Sequence, residues 1–191
     1  PEFTPRALLD RFDVEVLCTT DAASSPLEHH RRLHDDGLGH VRPTFRPDAV
    51  VAIGDPSWPG EIEALGEASD RHQPFDDRRR VKHVLDYGGF IRALEGRREA
   101  FKRMGALATD HSVTVPRTER LSDHEARTIF DRALGGEADG NDAARFAAHM
   151  LMAFVSPTPR WRGFSPAPYA ARQAGTTLPA SRRICWWSWR A

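Results

Sequence analysis

Apolar and polar positions change period several times along this chain, and the changes mark out alternating strands and helices. Phe12-Asp13-Val14-Glu15-Val16-Leu17-Cys18 is apolar and β-branched, which predicts a strand running into Thr19-Thr20-Asp21. Ser25-Pro26 then opens a helix, with Ser as N-cap, Pro in the first turn and Glu28 near the positive end of the dipole. Gly37 stops it. His40-Val41-Arg42-Pro43-Thr44-Phe45 predicts a second strand ending at Arg46-Pro47-Asp48, although Pro43 removes a ladder donor. Gly54, Pro56, Pro59 and Gly60 mark 54–60 as a loop, with a helix over 61–68. Residues 69–80 are polar and aperiodic, and Arg78-Arg79-Arg80 reads as a solvated helix start. Phe90, Leu94, Phe101 and Met104 recur at helical spacing until Gly105. The apolar run Ala106-Leu107-Ala108 predicts a third strand, 106–109, leading into Asp110-His111. Ser122 and Glu125 form a capping box before Ala126, Ile129, Phe130 and Leu134, and Gly135-Gly136 ends that helix. Asn141-Asp142 caps a last helix holding Phe146, Met150, Leu151 and Phe154. Strands alternating with helices indicate an α/β fold with a parallel sheet.

Composition sharpens this picture at the C-terminus. After Val155 the periodicity is lost: residues 156–191 hold five Pro, four of the five Trp and no acid. Arg outnumbers Lys 25 to 2 over the chain, which suggests GC-rich coding, and out-of-frame reading of such DNA yields Arg, Pro, Ala, Ser and Trp. The expectation is a domain over 1–155 followed by a non-native or disordered Arg/Pro/Trp-rich tail. Interleaved Arg and Trp also suit nucleic acid, but the formal net charge of zero gives no support for such a partner. At 191 residues the chain is shorter than the roughly 250 typical of an eight-stranded α/β barrel. It starts at Pro1 without Met, as though inside a longer protein. Cys18 and Cys185 form no disulfide framework or zinc ribbon. No apolar run approaches the roughly 20 residues of a membrane span, and no signal peptide is visible. The expected compartment is the cytoplasm.

Candidate chemistry gathers at three strand ends: Thr19-Thr20-Asp21, Arg46 and Asp110-His111. In a parallel barrel these ends open into one crevice. A carboxylate and an imidazole at a buried strand exit lose hydration unless a partner, metal or substrate compensates them. Arg46 suits a planar carboxylate, because a guanidinium forks onto two oxygens. It equally suits a surface ion pair with Asp48. His111 can move protons near neutral pH or bind a metal, and a loop carrying a capping Asp110 and an exposed His111 is the plainer reading. Asp21 and Asp110 are candidates for the rim of the site. His30 and His34 share a helix face with metal-ligand spacing, but no third ligand accompanies them, so solvated histidines are expected.

At these strand ends the chain resembles the uronate (glucuronate) isomerase family. The matching segments are Val16-Leu17-Cys18-Thr19-Thr20-Asp21, Leu27-Glu28-His29-His30, Arg42-Pro43-Thr44-Phe45-Arg46-Pro47-Asp48 and Thr109-Asp110-His111. The resemblance covers roughly residues 3–155 and looks like that family's central region. It implies a partial (β/α)8 TIM-type barrel of the amidohydrolase kind with helical insertions. It implies aldose–ketose isomerisation of hexuronates: D-glucuronate to D-fructuronate, and D-galacturonate to D-tagaturonate. A proton would move between C2 and C1 through an enediol near a divalent metal, usually zinc. Arg46 would correspond to the arginine that holds the uronate carboxylate. His111 would correspond to the active-site histidine beside the metal and is the candidate metal ligand, the other ligands lying outside this chain. The chain departs from the family at Ser112 and Ala22, and lacks its His-x-His motif, its His-Tyr pair and its last-strand Asp with a nearby Arg. A barrel without its remaining strands implies a central fragment that is inactive alone; homo-oligomerisation of the full-length protein stays open. A metal-dependent hydrolase of the same group and a non-catalytic degenerate fragment are the alternatives.

Overall fold

The structure, a computed structural model, describes residues 3–70, 84, 86–112, 117–155, 165–166 and 183–187. The Arg78-Arg79-Arg80 run lies outside them. The chain opens with a helix that its hydrophobic pattern does not announce, α1 (Pro5–Arg11). Thr4 caps it by accepting from Ala7 N–H, and Pro5 sits where a missing N–H is harmless. Asp13 then turns the chain with φ +50°, so the strand predicted from Phe12 begins at Val14 and runs on through Asp21: β1 (Val14–Ala22). α2 (Glu28–Asp35) also starts later than Ser25-Pro26 suggested. Ser25 instead receives Leu27 N–H within the preceding turn, and Leu27 is the N-cap with φ +55°. A left-handed leucine is strained by about 1–2 kcal/mol; complete burial of its side chain offsets that.

β2 (Val41–Arg46) tolerates Pro43 for a reason visible in the ladder. His40 and Arg46 carbonyls accept from β1 and its following turn, whereas Phe45 O accepts from Asp110 on the opposite side. By the two-residue period, Pro43 faces the same side as Phe45. There the neighbour is only β3 (Ala108–Thr109), which pairs no earlier than Phe45. Between them come α3 (Asp48–Val51), α4 (Trp58–Asp70) and α5 (Tyr87–Arg103). α4 begins inside the expected loop because Trp58 is buried and donates its indole N–H to Val50 O at 2.9 Å. Asp86 caps α5, and Gly105 leaves it at φ +84°, as the glycine predicted. The Ser122–Glu125 capping box opens α6 (Asp123–Leu134), although Leu134 is 41 % exposed rather than part of the apolar face. α7 (Gly140–Val155) is capped by Asp139, which accepts from Asp142 N–H at 2.8 Å, not by Asn141.

The strands form one all-parallel sheet, completed by β4 (Ser165–Pro166) and β5 (Arg183–Trp187) in the order β4-β3-β2-β1-β5. The lack of strand periodicity after Val155 is therefore corrected at these positions. Ile184-Cys185-Trp186-Trp187 is a continuous apolar run, and parallel strands need not alternate. The other tail positions lie outside the described residues. The α5, α6 and α7 helices pack through Tyr87, Phe90, Phe130 and Phe146, with Phe90 and Phe130 centroids 5.0 Å apart. Phe45 joins this helical layer to the sheet through Phe101 at 5.1 Å. Among the described residues no helix is long and apolar enough to cross a membrane.

Candidate active site

In a parallel sheet every strand ends at the same edge, and the register sets which residues meet there. Ala22 lies beside Arg46, and Phe45 beside Thr109. Arg46 and Asp110 are thus adjacent across neighbouring strands, and Arg46 Nη2 approaches Asp110 Oδ2 to 3.0 Å. Thr20, on the same face of β1, donates its hydroxyl to that oxygen at 3.0 Å. Asp48, at the start of α3, places Oδ2 at 3.3 Å from Arg46 Nε and Oδ1 at 3.6 Å from His111 Nδ1. Its Oδ2 also accepts Ser112 N–H at 2.8 Å. Arg46, Asp48, Asp110 and His111 thus form one connected group on the C-terminal edge. The surface-pair reading of Arg46 with Asp48 and the substrate reading are not exclusive: a guanidinium has five N–H donors, and two carboxylates do not exhaust them.

The energetics of this group concern aim more than stability. Arg46, Asp48 and Asp110 each keep between 26 % and 29 % of their side-chain exposure. Ion pairs this wet contribute about 1 kcal/mol or less. His111 is better enclosed: its ring stacks on Phe154 of α7 at 5.6 Å, and Nε2 is buried with no hydrogen-bond partner among the described residues. That is not the exposed loop histidine of the plainer reading. Beside it lies a cavity of about 410 Å³, lined by Asp48, His111, Ser112 and Arg117 and walled by the α7 face that ends in Leu151 and Phe154. This is within the usual size of small-molecule sites.

Asp21 does not join this group. Strand alternation turns it to the opposite face, where its Oδ2 takes the Thr19 hydroxyl at 2.6 Å and lies 3.1 Å from His30 Nε2. His30 is accordingly buried rather than solvated, while His29 and His34 are exposed. Cys18 is half-buried, and burial pushes its thiol up against the opposing charge of Arg42, as befits an inert residue. A metal finds one candidate ligand here, the bare Nε2 of His111. Among the described residues no group of three His, Cys, Asp or Glu side chains could hold an ion, so the described donors do not make a metal centre by themselves. The pattern gave no hint of Arg117, placed Phe154 only on the apolar face of a helix, and took Asp48 only as a partner for Arg46.

Comparison with known proteins follows the same segments. The family model described as glucuronate isomerase matches residues 1–164. The chain is 46 % identical over 152 residues to a uronate isomerase from Nostoc punctiforme, covering 80 % of this chain and 30 % of that protein. It is 38 % identical to a uronate isomerase from Brucella canis, covering 79 % and 30 %. A crystal structure of glucuronate isomerase from Caulobacter crescentus superposes with TM-score 0.69 at 34 % identity, over 79 % of this chain and 29 % of that one. A uronate isomerase structure from Thermotoga maritima, at 22 % identity, shares the fold with TM-score 0.68 over 98 % of this chain and 47 % of that one. The chain spans about 30 % of the length of the curated relatives it matches. With a match that begins at residue 1 and takes in the whole strand-end group, the chain belongs to the glucuronate isomerase family.

Proposed function

We propose that this chain supplies the substrate-gripping rim of a hexuronate aldose–ketose isomerase. In this reading D-glucuronate becomes D-fructuronate and D-galacturonate becomes D-tagaturonate. The parallel sheet is then part of a (β/α)8 barrel of the amidohydrolase kind, with α6 and α7 among its helical insertions. The observation that carries the reading is the linkage of Arg46 and His111 through Asp48 at one strand edge, beside a cavity of about 410 Å³. Arg46 takes the uronate carboxylate on the N–H groups its acidic partners leave free, which orients the sugar rather than reacting with it. His111 offers Nε2 to the oxygens at the C1–C2 end, where it can hold or accept a proton. Enediol formation also needs a base at C2, which belongs outside this chain. A divalent metal, zinc in this reading, would polarise the carbonyl when bound, and His111 is the residue here that could reach it. A cytoplasmic catabolic enzyme acting on a small molecule fits this chemistry.

The test is a graft. Residues 3–155 replace the matching segment of the Nostoc punctiforme relative, and D-fructuronate formation from D-glucuronate is followed. Turnover is expected. Arg46→Met in the graft removes a charge-assisted contact of about 1.5–3 kcal/mol and raises KM about 10–150-fold. A folded graft without turnover, or one whose KM ignores Arg46→Met, would sink the reading.

A further inference from the structure

We propose that Asp48 is a positioning residue that fixes which nitrogen of His111 carries the proton; its consequence for isomerisation rests on the function proposed above. Asp48 opens α3 directly after Pro47, so its backbone is held on both sides. One carboxylate serves three neighbours. The Ser112 N–H bond at 2.8 Å ties α3 to the residue after His111, which prevents the imidazole from swinging away with its loop. Arg46 Nε at 3.3 Å is aimed by the same oxygen. His111 Nδ1, at 3.6 Å from Oδ1, is too far for a full hydrogen bond but close enough for the charge to discriminate. A carboxylate there attracts an N–H and repels a lone pair. The Nδ1–H tautomer follows, and the lone pair falls on Nε2. The opposite tautomer would be penalised twice, because it would also bury an N–H at Nε2, which has no partner among the described residues. The other side of the ring meets Phe154, which stacks but does not choose between nitrogens. Asp48 therefore leaves His111 with a bare, buried acceptor at Nε2, on a residue that lines the cavity. An outer partner that sets a histidine's tautomer is a common arrangement in sites of this kind.

The tautomer is read directly by long-range proton–nitrogen correlation spectra of the full chain labelled with ¹⁵N-histidine, at a mildly alkaline pH, with His111 assigned by its loss in His111→Gln. The Nδ1–H form is expected to dominate in the native chain. In Asp48→Asn, whose amide can donate to Nδ1, and in Asp48→Ser the preference is expected to invert or vanish. An unchanged tautomer in both variants overturns the proposal. In the graft, Asp48→Asn is expected to lower kcat about 10–100-fold, with partial recovery in Asp48→Glu. An unchanged kcat in a folded Asp48→Asn graft also overturns it, and does so even if the chain alone proves too unstable for spectroscopy. A graft that is inactive with Asp48 intact counts against the uronate reading instead, while the tautomer measurement still decides the role of Asp48.

Discussion

Arg97 offers the sharpest test of how the rim is held. It is fully buried on α5, yet its guanidinium reaches three carbonyls from distant segments. Nε donates to Ala23 O at 3.0 Å, Nη1 to Ala68 O at 3.1 Å, and Nη2 to Ser25 O. Two of these lie in the turn leaving β1, just past Thr20 and Asp21; the third is near the end of α4. The guanidinium also sits over the Phe101 ring at 5.5 Å. Arg97→Met fills similar space but strips the donors. Each carbonyl that loses its guanidinium donor costs about 1–3 kcal/mol, a gross loss of about 3–9 kcal/mol. Removing a buried charge returns several kcal/mol of desolvation. We expect a net destabilisation of about 2–4 kcal/mol. For a chain of this size that is about 4–16 °C in Tm, at about 2–4 °C per kcal/mol. The assay is paired thermal and urea unfolding against Arg92→Met, an exposed arginine on the same helix. Arg97→Lys, with one ammonium in place of a planar fork, should fall between. If Arg97→Met and Arg92→Met unfold at the same midpoint, the carbonyl clamp does not stabilise the fold.

Three further outcomes are expected. Leu121 N–H donates to His149 Nδ1, so the proton sits on Nε2 facing Tyr87 Oη at 3.1 Å, and burial, helped by the charge of Arg120, pushes the imidazole pKa down. The folded state therefore prefers the neutral ring: its contribution is present above the unfolded value of about 6.5 and is lost as pH falls through that value toward the depressed folded one. Melting curves in that window should drop less steeply for His149→Asn than for the native chain, and parallel curves would refute this. Ser122→Ala should cost about 1 kcal/mol. It should also let the Glu125 carboxyl, held at about 2 by the Ser122 N–H and hydroxyl and then by Arg145, titrate nearer its ordinary range, as a ¹³C titration can report. Finally, the purified chain given zinc and D-glucuronate should form no D-fructuronate, since the C2 base is assigned elsewhere; turnover would contradict that assignment.

The local rules that worked were those with a covalent or steric origin. Gly37 and Gly105 end their helices with positive φ, a conformation that penalises side chains. Ser122 and Glu125 cap α6 because their spacing lets each reach the other's backbone. Where local rules competed with packing, packing prevailed. Ser25-Pro26 is a good helix start, but burial of Leu27 moved the boundary to Glu28. A strand was hard to see in Arg183–Trp187 because parallel pairing to β1 requires no alternation.

For the site, the sequence by itself determined which polar residues stand at the strand ends, because composition and turn residues locate those ends without any contact being known. Arg46, Asp110 and His111 could be named that way. Only the tertiary structure decided which of them face one another. Alternation sends neighbouring side chains to opposite faces, so Thr20 meets Asp110 while Asp21 turns to His30. The role of Asp48 depends on a register between β2 and β3 and on the start of α3 reaching the residues that follow β3, and the stacking of His111 on Phe154 joins residues from separate elements. Such contacts are set by the shape in which apolar faces bury one another, and no short stretch of chain encodes that shape alone.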